Sequence, residues 1–384
     1  MPKQVVKNQH YIPQSLLRHF ADPKEKLFEA FLMQKKIFPT TVANTMSETY
    51  TYEYDKLPVN TIENFFSRIE GEVATGVTQI INVIEEVKGG SAEIDKVKNL
   101  VEQFLGRFLV FYYRSGALLT EFSFGNKDFK IPLLSEKILN HEYINALSES
   151  IIKHYDFAII ESSDDFLLSD QFVSTAAIKI KTQFFDISNR HIGLRDTIIF
   201  IPISASYYIV FWNTPNSFFL KKDSLLKLES AELNLINKTI INNSYIKVVC
   251  KKKERLEEIL DSFEHRSPTQ IFAGGNPDGF SMGSIKKKEV FLFEEEKNVY
   301  ELLEHPFFTQ YKDLGRNDVC TCGSGKKFKK CHLTAYQRIQ SIMSAFGRSD
   351  RENIMDFFIY GIQTIEKPID KWSGFSKDKN QADT

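Results

Sequence analysis

Cysteine is scarce in this chain, with four residues among 384. Cys320, Cys322 and Cys331 lie close together, a spacing more typical of a metal site in a reducing compartment than of a disulfide framework. The fourth, Cys250, is expected to be a buried thiol. The shortage of cysteine therefore excludes the class of disulfide-stapled secreted domains.

Long apolar runs are also missing. No stretch supplies the roughly eighteen uninterrupted apolar residues of a membrane-spanning helix, and the first residues, MPKQVVKNQHYIP, lack the apolar centre of a secretory signal. We therefore expect a cytoplasmic protein that has no membrane partner.

No sign of charge dominates, because 49 basic and 50 acidic residues leave a formal charge of −1. Binding to nucleic acid or another anionic partner would have to come from a local patch. The length and the hydrophobic fraction of 42% are enough for two or three folded units.

Hydrophobic spacing predicts the fold class. Apolar residues recur every three or four positions over residues 60–87 and again from residue 94 to about residue 119, on either side of Gly89-Gly90-Ser91, which predicts a helical hairpin. Strands are predicted at 156–161, 166–168, 197–203 and 207–212, followed by helices at 231–241 and 254–263. This order favours an α+β fold in which helices pack with a small, mainly antiparallel sheet.

A glycine-rich stretch at residues 273–284 predicts a flexible connection. It divides the chain into a large α+β domain (1–272), a linker with a short β/α connector (273–312), a zinc module (313–333) and a helical tail with a frayed end (334–384). The tail is expected to hold short helices near 336–346 and 352–365.

The zinc module carries the most specific motif. Cys320, Cys322, Cys331 and His332 follow the pattern Cys-x-Cys-x8-Cys-His, and thiolates with an imidazole form the closed tetrahedral set of a structural Zn²⁺ site. The following Gly-Ser-Gly-Lys-Lys run is not a P-loop, since a Walker motif would need glycine where Cys320 stands.

These residues resemble the SEC-C module, the small zinc-binding tail of the translocase ATPase SecA. The resemblance covers about twenty residues, and Val319 and Thr321 replace prolines that are usual in the family. It implies contact with a partner protein, a ribosome or nucleic acid. We call residues 313–333 the zinc knuckle.

Basic residues crowd the zinc knuckle and are the predicted partner-binding residues. They are Arg316, Lys326, Lys327, Lys329 and Lys330. A rigid basic surface suits phosphate or an acidic protein surface; alternatively, the lysines only keep a small module soluble.

Short motifs in the large domain resemble an uncharacterised bacterial family, domain of unknown function 4238. They are His10-Tyr11-Ile12-Pro13-Gln14 with Arg18 and Phe20, then Leu168-Ser169-Asp170, and FIPISASYYIVF. The sequence departs from the family at Gln171-Phe172, where Asn-Pro is common. The resemblance implies no activity.

Four charged residues of the helical hairpin form a symmetric pattern. Glu63 and Arg114, like Glu70 and Arg107, are equidistant from the Gly89 turn, so each pair is predicted to lie at matching heights. Partly buried Arg–carboxylate pairs would fix the register of the helices; alternatively, the four residues line a polar cleft with His10 and Asp170.

The large domain also has the residue types of a metal-dependent hydrolase. The candidate catalytic residues are His10, Gln14, Glu70, Arg114 and Asp170, with Mg²⁺ or Mn²⁺ as the possible cofactor. Each has a plain alternative: His10 packs at a helix start, for example, and Asp170 caps a turn. Asp278, Glu295 and Lys297 satisfy a loose PD-x-ExK nuclease pattern of low specificity.

Two functions follow from these observations. One is a nuclease-like hydrolase, such as a toxin or phage-defence effector, whose zinc knuckle recruits the target. The other is a non-enzymatic scaffold that docks through the zinc knuckle. Convergence of His10, Glu70, Arg114 and Asp170 in one pocket would favour the enzyme.

Overall fold

The computed structural model describes most of the chain. The described residues are 5–114, 130–132, 134–135, 141–179, 196–214, 219–264, 269–275, 281–287, 290–304 and 311–346. The predicted helix at 352–365, the frayed end and Asp278 of the nuclease-like pattern lie outside these ranges.

Helices account for much of the described chain. They are α1 (Gln14–Leu17), α2 (Thr61–Lys88), α3 (Ile94–Tyr113), α4 (His141–His154), α5 (Ser230–Asn243), α6 (Lys253–Leu260), α7 (Glu294–Glu304) and α8 (Leu333–Phe346). Within the described ranges, no helix is both long enough and apolar enough to cross a bilayer.

In the described residues, the strands form two larger sheets and two ribbons of two strands each. They are β1 (Asn8–His10), β2 (Lys26–Phe31), β3 (Lys36–Thr41), β4 (Ser47–Thr49), β5 (Asp156–Glu161), β6 (Leu168–Ser169), β7 (Ser174–Ala177), β8 (Thr197–Pro202), β9 (Tyr207–Trp212), β10 (Ser224–Lys227), β11 (Lys247–Cys250), β12 (Thr269–Gly275) and β13 (Ser281–Lys287).

The predicted helical hairpin is present as α2 and α3. The apolar stripe of α2, which includes Phe66, Ile69, Val73 and Val77, is buried because its spacing of three and four residues keeps it on one face. At Gly76 the two helices approach closely: a Cβ atom there would lie 2.8 Å from the ring of Phe104. This contact needs the smallest residue.

The start of α2 differs from a capped helix. Asn60 adopts a left-handed conformation with φ of 61° and makes no side-chain cap; its Oδ1 instead accepts a hydrogen bond from the Val6 amide at 3.1 Å. The side chain of Asn60 therefore ties the N-terminal segment to the hairpin.

The fold class is confirmed as α+β. The five-stranded sheet has the order β10-β5-β9-β8-β7, in which only the β10–β5 pair is parallel. The four-stranded sheet has the antiparallel order β3-β2-β11-β6. Strands β5 and β9 occupy the predicted ranges and are almost wholly buried, because both faces of this sheet are covered.

Part of the predicted linker is ordered secondary structure. Strands β12 and β13 pair antiparallel and overlap the stretch 273–284 that was assigned to a flexible connection. Beyond them, the buried Val290 and Leu292 join the main core, while Ala177 of β7 donates to the Val290 carbonyl and accepts from the Leu292 amide. Alternating apolar residues after the glycines therefore attach this segment to the large domain.

A second, small core lies under the zinc knuckle. Val299, Tyr311, Cys320, Phe328 and Tyr336 form it, separate from the main core. The helices before and after the knuckle, α7 and α8, also pack together, and Arg338 pairs with Glu296 at 2.6 Å.

Candidate functional site

The four predicted zinc ligands converge. All their ligand atoms lie within 4.8 Å of one another. His332 Nδ1 is 3.2 Å from the sulfurs of both Cys320 and Cys331, and the sulfurs of Cys322 and Cys331 are 3.6 Å apart. Zn–S bonds of about 2.3 Å and Zn–N bonds of about 2.0 Å in a tetrahedron place ligand atoms about 3.5 to 3.8 Å apart. The ligand set therefore fits zinc.

Local backbone structure presents these ligands. Gly323 and Gly325 both have positive φ, 82° and 69°, a conformation that glycine adopts without steric cost. Cys320 N–H donates to the Lys326 carbonyl at 2.8 Å, and Phe328 N–H donates to the Asp318 carbonyl at 2.7 Å. The resulting tight loop orients Cys320 and Cys322 toward Cys331 and His332.

Aromatic rings pack beside the zinc-ligand residues. Phe328 stacks on Tyr311 with ring centroids 5.8 Å apart and an interplanar angle of 4°, and the Tyr311 ring lies 5.4 Å from that of His332. Since so small a core stabilises little by itself, metal binding is expected to supply most of the folding energy here.

Ser324 connects two of the sulfurs. Its Oγ lies 3.2 Å from Cys322 Sγ and 3.3 Å from Cys331 Sγ, and the hydrogen bond to Cys322 lowers the pKa of that thiol to about 6. Burial raises the pKa of Cys320 to about 11, so metal binding must displace a proton from that sulfur at neutral pH.

The basic side chains of the zinc knuckle point outward. Arg316, Lys326, Lys327, Lys329 and Lys330 are all exposed. Within the described part of the chain none of them forms a salt bridge, unlike many lysines of the large domain. Val319, 64% exposed, adds an apolar side chain to the same module.

A second polar centre lies where α3 ends. The Arg114 guanidinium is completely buried; its Nη1 donates to Glu70, and its Cζ lies 4.0 Å from the ring centroid of Phe66 and 5.4 Å from that of Tyr52. The Tyr52 hydroxyl donates to the Arg114 carbonyl at 3.1 Å. Rings thus enclose a buried cation whose carboxylate partner is only partly exposed.

The charges of Arg114 and Glu70 influence the pKa values of Glu63 and His10. Burial raises the pKa of Glu63, against the influence of Arg114. Burial lowers the pKa of His10, while Glu70 opposes and Arg114 reinforces that shift. We call Arg114, Glu70, Glu63, Tyr52 and His10 the Arg114 cluster.

The comparisons with known proteins match both parts of the chain. A family model described as a protein of unknown function, DUF4238, matches residues 8–254, which is more than half of the chain. The chain belongs to the DUF4238 family. A second model, the SEC-C motif, matches residues 316–334 and so contains all four zinc-ligand candidates.

Curated proteins similar to part of this chain include SecA proteins. Protein translocase subunit SecA 1 of Nitrosospira multiformis is 27% identical over 95 residues, which is 25% of this chain and 10% of that protein. SecA of Nitrosomonas europaea is 50% identical over 44 residues, 11% of this chain and 5% of that protein. The chain thus spans a tenth or less of their length. No solved structure matches the chain.

Neither of the two ion pairs predicted for the DUF4238 hairpin, Glu63–Arg114 and Glu70–Arg107, is formed. Arg107 pairs with Glu72 at 2.8 Å on the surface, while Arg114 takes Glu70. The prediction centred the turn on Gly89, whereas residues 89–93 connect α2 to α3. The longer connection moves the partner of each arginine along α2, so Arg107 does not enter the buried centre.

His10 and Gln14 lie beside each other at the entrance to α1. Gln14 Nε2 is 3.5 Å from His10 Nε2, and both side chains are half-buried. The electrostatic influence of Glu70 and Arg114 on His10 places these three predicted residues in one neighbourhood.

Asp170 stabilises a turn, which is the structural role predicted from the sequence as the alternative to a catalytic one. Its two carboxylate oxygens accept the amides of Tyr245, Ile246 and Lys247 at 2.9, 2.7 and 3.1 Å, which closes the turn from α5 into β11. Burial raises the pKa of Asp170 to about 6. Both oxygens are therefore engaged with backbone.

The residues that follow Asp170, including Phe172, are buried between two helices. Phe172 has a positive φ of 64°, and its ring packs on Phe108 and Phe111 of α3. Asn243 of α5 meanwhile bonds both the amide and the carbonyl of Thr175. The segment after Asp170 therefore contacts α3 through Phe172 and α5 through Thr175.

Several residues in the Arg114 cluster or close to it have no motif or spacing in the sequence that would have predicted them. Tyr52, Gln9 and Lys130 are examples: Gln9 Oε1 accepts the Tyr52 amide at 2.8 Å, and the buried Lys130 donates to Thr51 at 3.0 Å. The positions of these residues depend on contacts across more than forty residues. No local spacing could reveal them.

The large domain offers no comparable metal site in its described part. Among the residues that the structure describes, the Cys/His set is the only group of three or more potential ligands close enough to hold a metal. The carboxylates of the Arg114 cluster are not such a group.

Proposed function

We propose that the zinc knuckle docks the DUF4238 domain onto a phosphate-rich partner in the cytoplasm, either free nucleic acid or ribosomal RNA. The observation that carries the proposal is the exposed basic set on the zinc knuckle, which has no acidic partner in the described chain. Unpaired lysines on a rigid module release counterions when they contact phosphates.

The overall charge supports a local contact. With a formal charge of −1, the whole chain has no attraction for polyanions, so the affinity must depend on these few side chains. An acidic protein surface would satisfy the same charges but without the regular phosphate spacing. We therefore rank nucleic acid first and an acidic protein second.

Charge reversal on the zinc knuckle tests the docking. The variant with Lys326→Glu, Lys327→Glu and Lys330→Glu should bind a labelled RNA or DNA oligonucleotide at least tenfold more weakly than the zinc-loaded full chain. The dependence of log affinity on log salt should become shallower by roughly 0.7 to 0.9 for each phosphate that the variant no longer neutralises. Fluorescence anisotropy at several salt concentrations measures both quantities.

A matched variant controls for net charge. Lys24→Glu, Lys36→Glu and Lys227→Glu make the same change at exposed positions of the large domain and should leave binding within about twofold. Equally weakened binding in the two triple variants would contradict the proposal. Binding only to an acidic polypeptide would replace nucleic acid by a protein partner.

A second candidate function is hydrolysis by the large domain, nuclease-like and serving as a toxin or in phage defence. The observation that favours it is the Arg114 cluster, in which burial moves the pKa of Glu63 up and that of His10 down. Two groups with oppositely displaced pKa values suit acid–base chemistry. Mg²⁺ or Mn²⁺ would have to come with the substrate or with further ligands.

RNA and DNA integrity tests this second candidate. Wild-type protein incubated with each nucleic acid, with and without Mg²⁺ or Mn²⁺, should cleave one of them, and His10→Ala should lower the rate by about 10² to 10⁴. His19→Ala, which changes another half-buried histidine, is the control. Cleavage that is unaffected by His10→Ala, or no cleavage at all, argues for the scaffold.

A further inference from the structure

The Arg114 guanidinium has an unused hydrogen-bonding edge. Nη1 donates to Glu70, but Nε and Nη2 are buried and no described group accepts from either nitrogen. These two N–H groups lie side by side on the same edge of the planar guanidinium. Through this edge, arginine binds carboxylates and phosphates with two parallel N–H···O hydrogen bonds.

Such an unpaired edge is unusual inside a protein. Buried donors are nearly always paired, and a charged donor without an acceptor is more costly than a neutral one. The Tyr52 hydroxyl donates to the Arg114 carbonyl and interacts with the Arg114 side chain, but neither Nε nor Nη2 has a hydrogen-bond partner among the described residues. The edge is therefore held in place by the surrounding structure without being satisfied by the described residues.

Glu63 has a matching unpaired oxygen. Its Oε2 is also buried and has no hydrogen-bond partner among the described residues, and no ion pair within 4.0 Å joins it to Arg114. Burial raises the pKa of this carboxyl group, against the influence of Arg114; when it is protonated, the group can donate a hydrogen bond. A guest oxygen between the two side chains would satisfy both.

The aromatic rings around Arg114 should increase its affinity for a small anion. Phe66, Tyr52 and Phe111 lie with ring centroids 4.0, 5.4 and 5.6 Å from Arg114 Cζ. Rings in these positions exclude water, and charge–charge attraction is larger where water is excluded.

We infer that the Arg114 cluster is a binding site for an oxyanion group, a carboxylate or a phosphate, held by the Nε–Nη2 edge of Arg114 and by the Glu63 carboxyl group. The site goes beyond the docking function of the zinc knuckle and does not depend on it. The inference is also independent of whether the domain hydrolyses the ligand that carries the oxyanion.

Anion titration of the zinc-loaded full chain tests the site. Inorganic phosphate and acetate, each added at constant ionic strength against chloride, should give a saturable rise in melting temperature, larger for the preferred anion. Arg114→Lys keeps the charge but lacks the edge, so its affinity should fall at least tenfold. Arg107→Lys, on the exposed face of the same helix, should match wild type.

Two further measurements keep the test decisive. In wild type, the Arg114 Nε–H resonance should move during the titration with the chosen anion, whether or not Arg114→Lys folds. Glu63→Gln, a neutral donor, should bind as tightly as wild type or tighter. The triple lysine variant of the zinc knuckle should respond like wild type, which separates this site from the docking surface.

Several results would overturn the inference. They are a response equal to that with chloride for both anions, an unchanged response in Arg114→Lys, or no response in the zinc-knuckle variant. An unmoved Arg114 Nε–H resonance at saturating phosphate and acetate would indicate that water alone occupies the edge.

Discussion

Replacing Cys331 with serine should reduce the zinc content of the purified chain from one ion to nearly none. A serine hydroxyl is a poor zinc ligand at neutral pH, and the three remaining ligands leave the tetrahedral set open. Structural zinc contributes roughly 10 to 16 kcal/mol of apparent binding free energy in small metal-folded units. Without it, the small core around Tyr311 and Phe328 should unfold.

The measurements are metal analysis by mass spectrometry and limited proteolysis within residues 311–346. The large domain should keep its melting temperature within about 1 °C, because its core is separate from that of the knuckle. Cys250→Ala changes the buried cysteine of β11 and should keep the zinc. Stoichiometric zinc in Cys331→Ser, or its absence from Cys250→Ala, would show that the ligand set is different.

Replacing Arg114 with alanine should lower the free energy of unfolding of the large domain by about 3 to 5 kcal/mol. Removing one partner of a buried ion pair leaves the other carboxylate poorly solvated, and the change also empties the space between Phe66, Tyr52 and Phe111. Urea denaturation followed by tryptophan fluorescence measures the decrease, since Trp212 is in the core.

Arg107→Ala is the matched control for this effect. The Arg107–Glu72 pair lies on the surface, with 44% and 39% of the two side chains exposed, and such pairs contribute about 0 to 1 kcal/mol. A destabilisation in Arg107→Ala as large as that in Arg114→Ala would contradict the assignment of the buried centre to Arg114. So would an Arg114→Ala protein as stable as wild type.

Sequence alone predicted the features that depend on residues close along the chain. The zinc ligands lie between Cys320 and His332, and glycines at 323 and 325 allow the turn between them, so motif spacing was sufficient. The helical hairpin and strands β5 and β9 were predicted from the spacing of apolar residues. This was possible because the residues that form one helix or one strand are close together in the sequence. The DUF4238 resemblance likewise came from short motifs and was confirmed.

Only the tertiary structure decided how distant polar groups pair. With the connection at 89–93, Arg107 pairs with Glu72 instead of Glu70, and Arg114 pairs with Glu70 instead of Glu63. The three backbone amides of residues 245–247 turned Asp170 into a structural acceptor. Such pairings depend on helix register and on chain segments that meet only after folding, where a displacement of one residue changes the partner. Local periodicity contains no information about that register, so the open edge of Arg114 could be seen only in the folded chain.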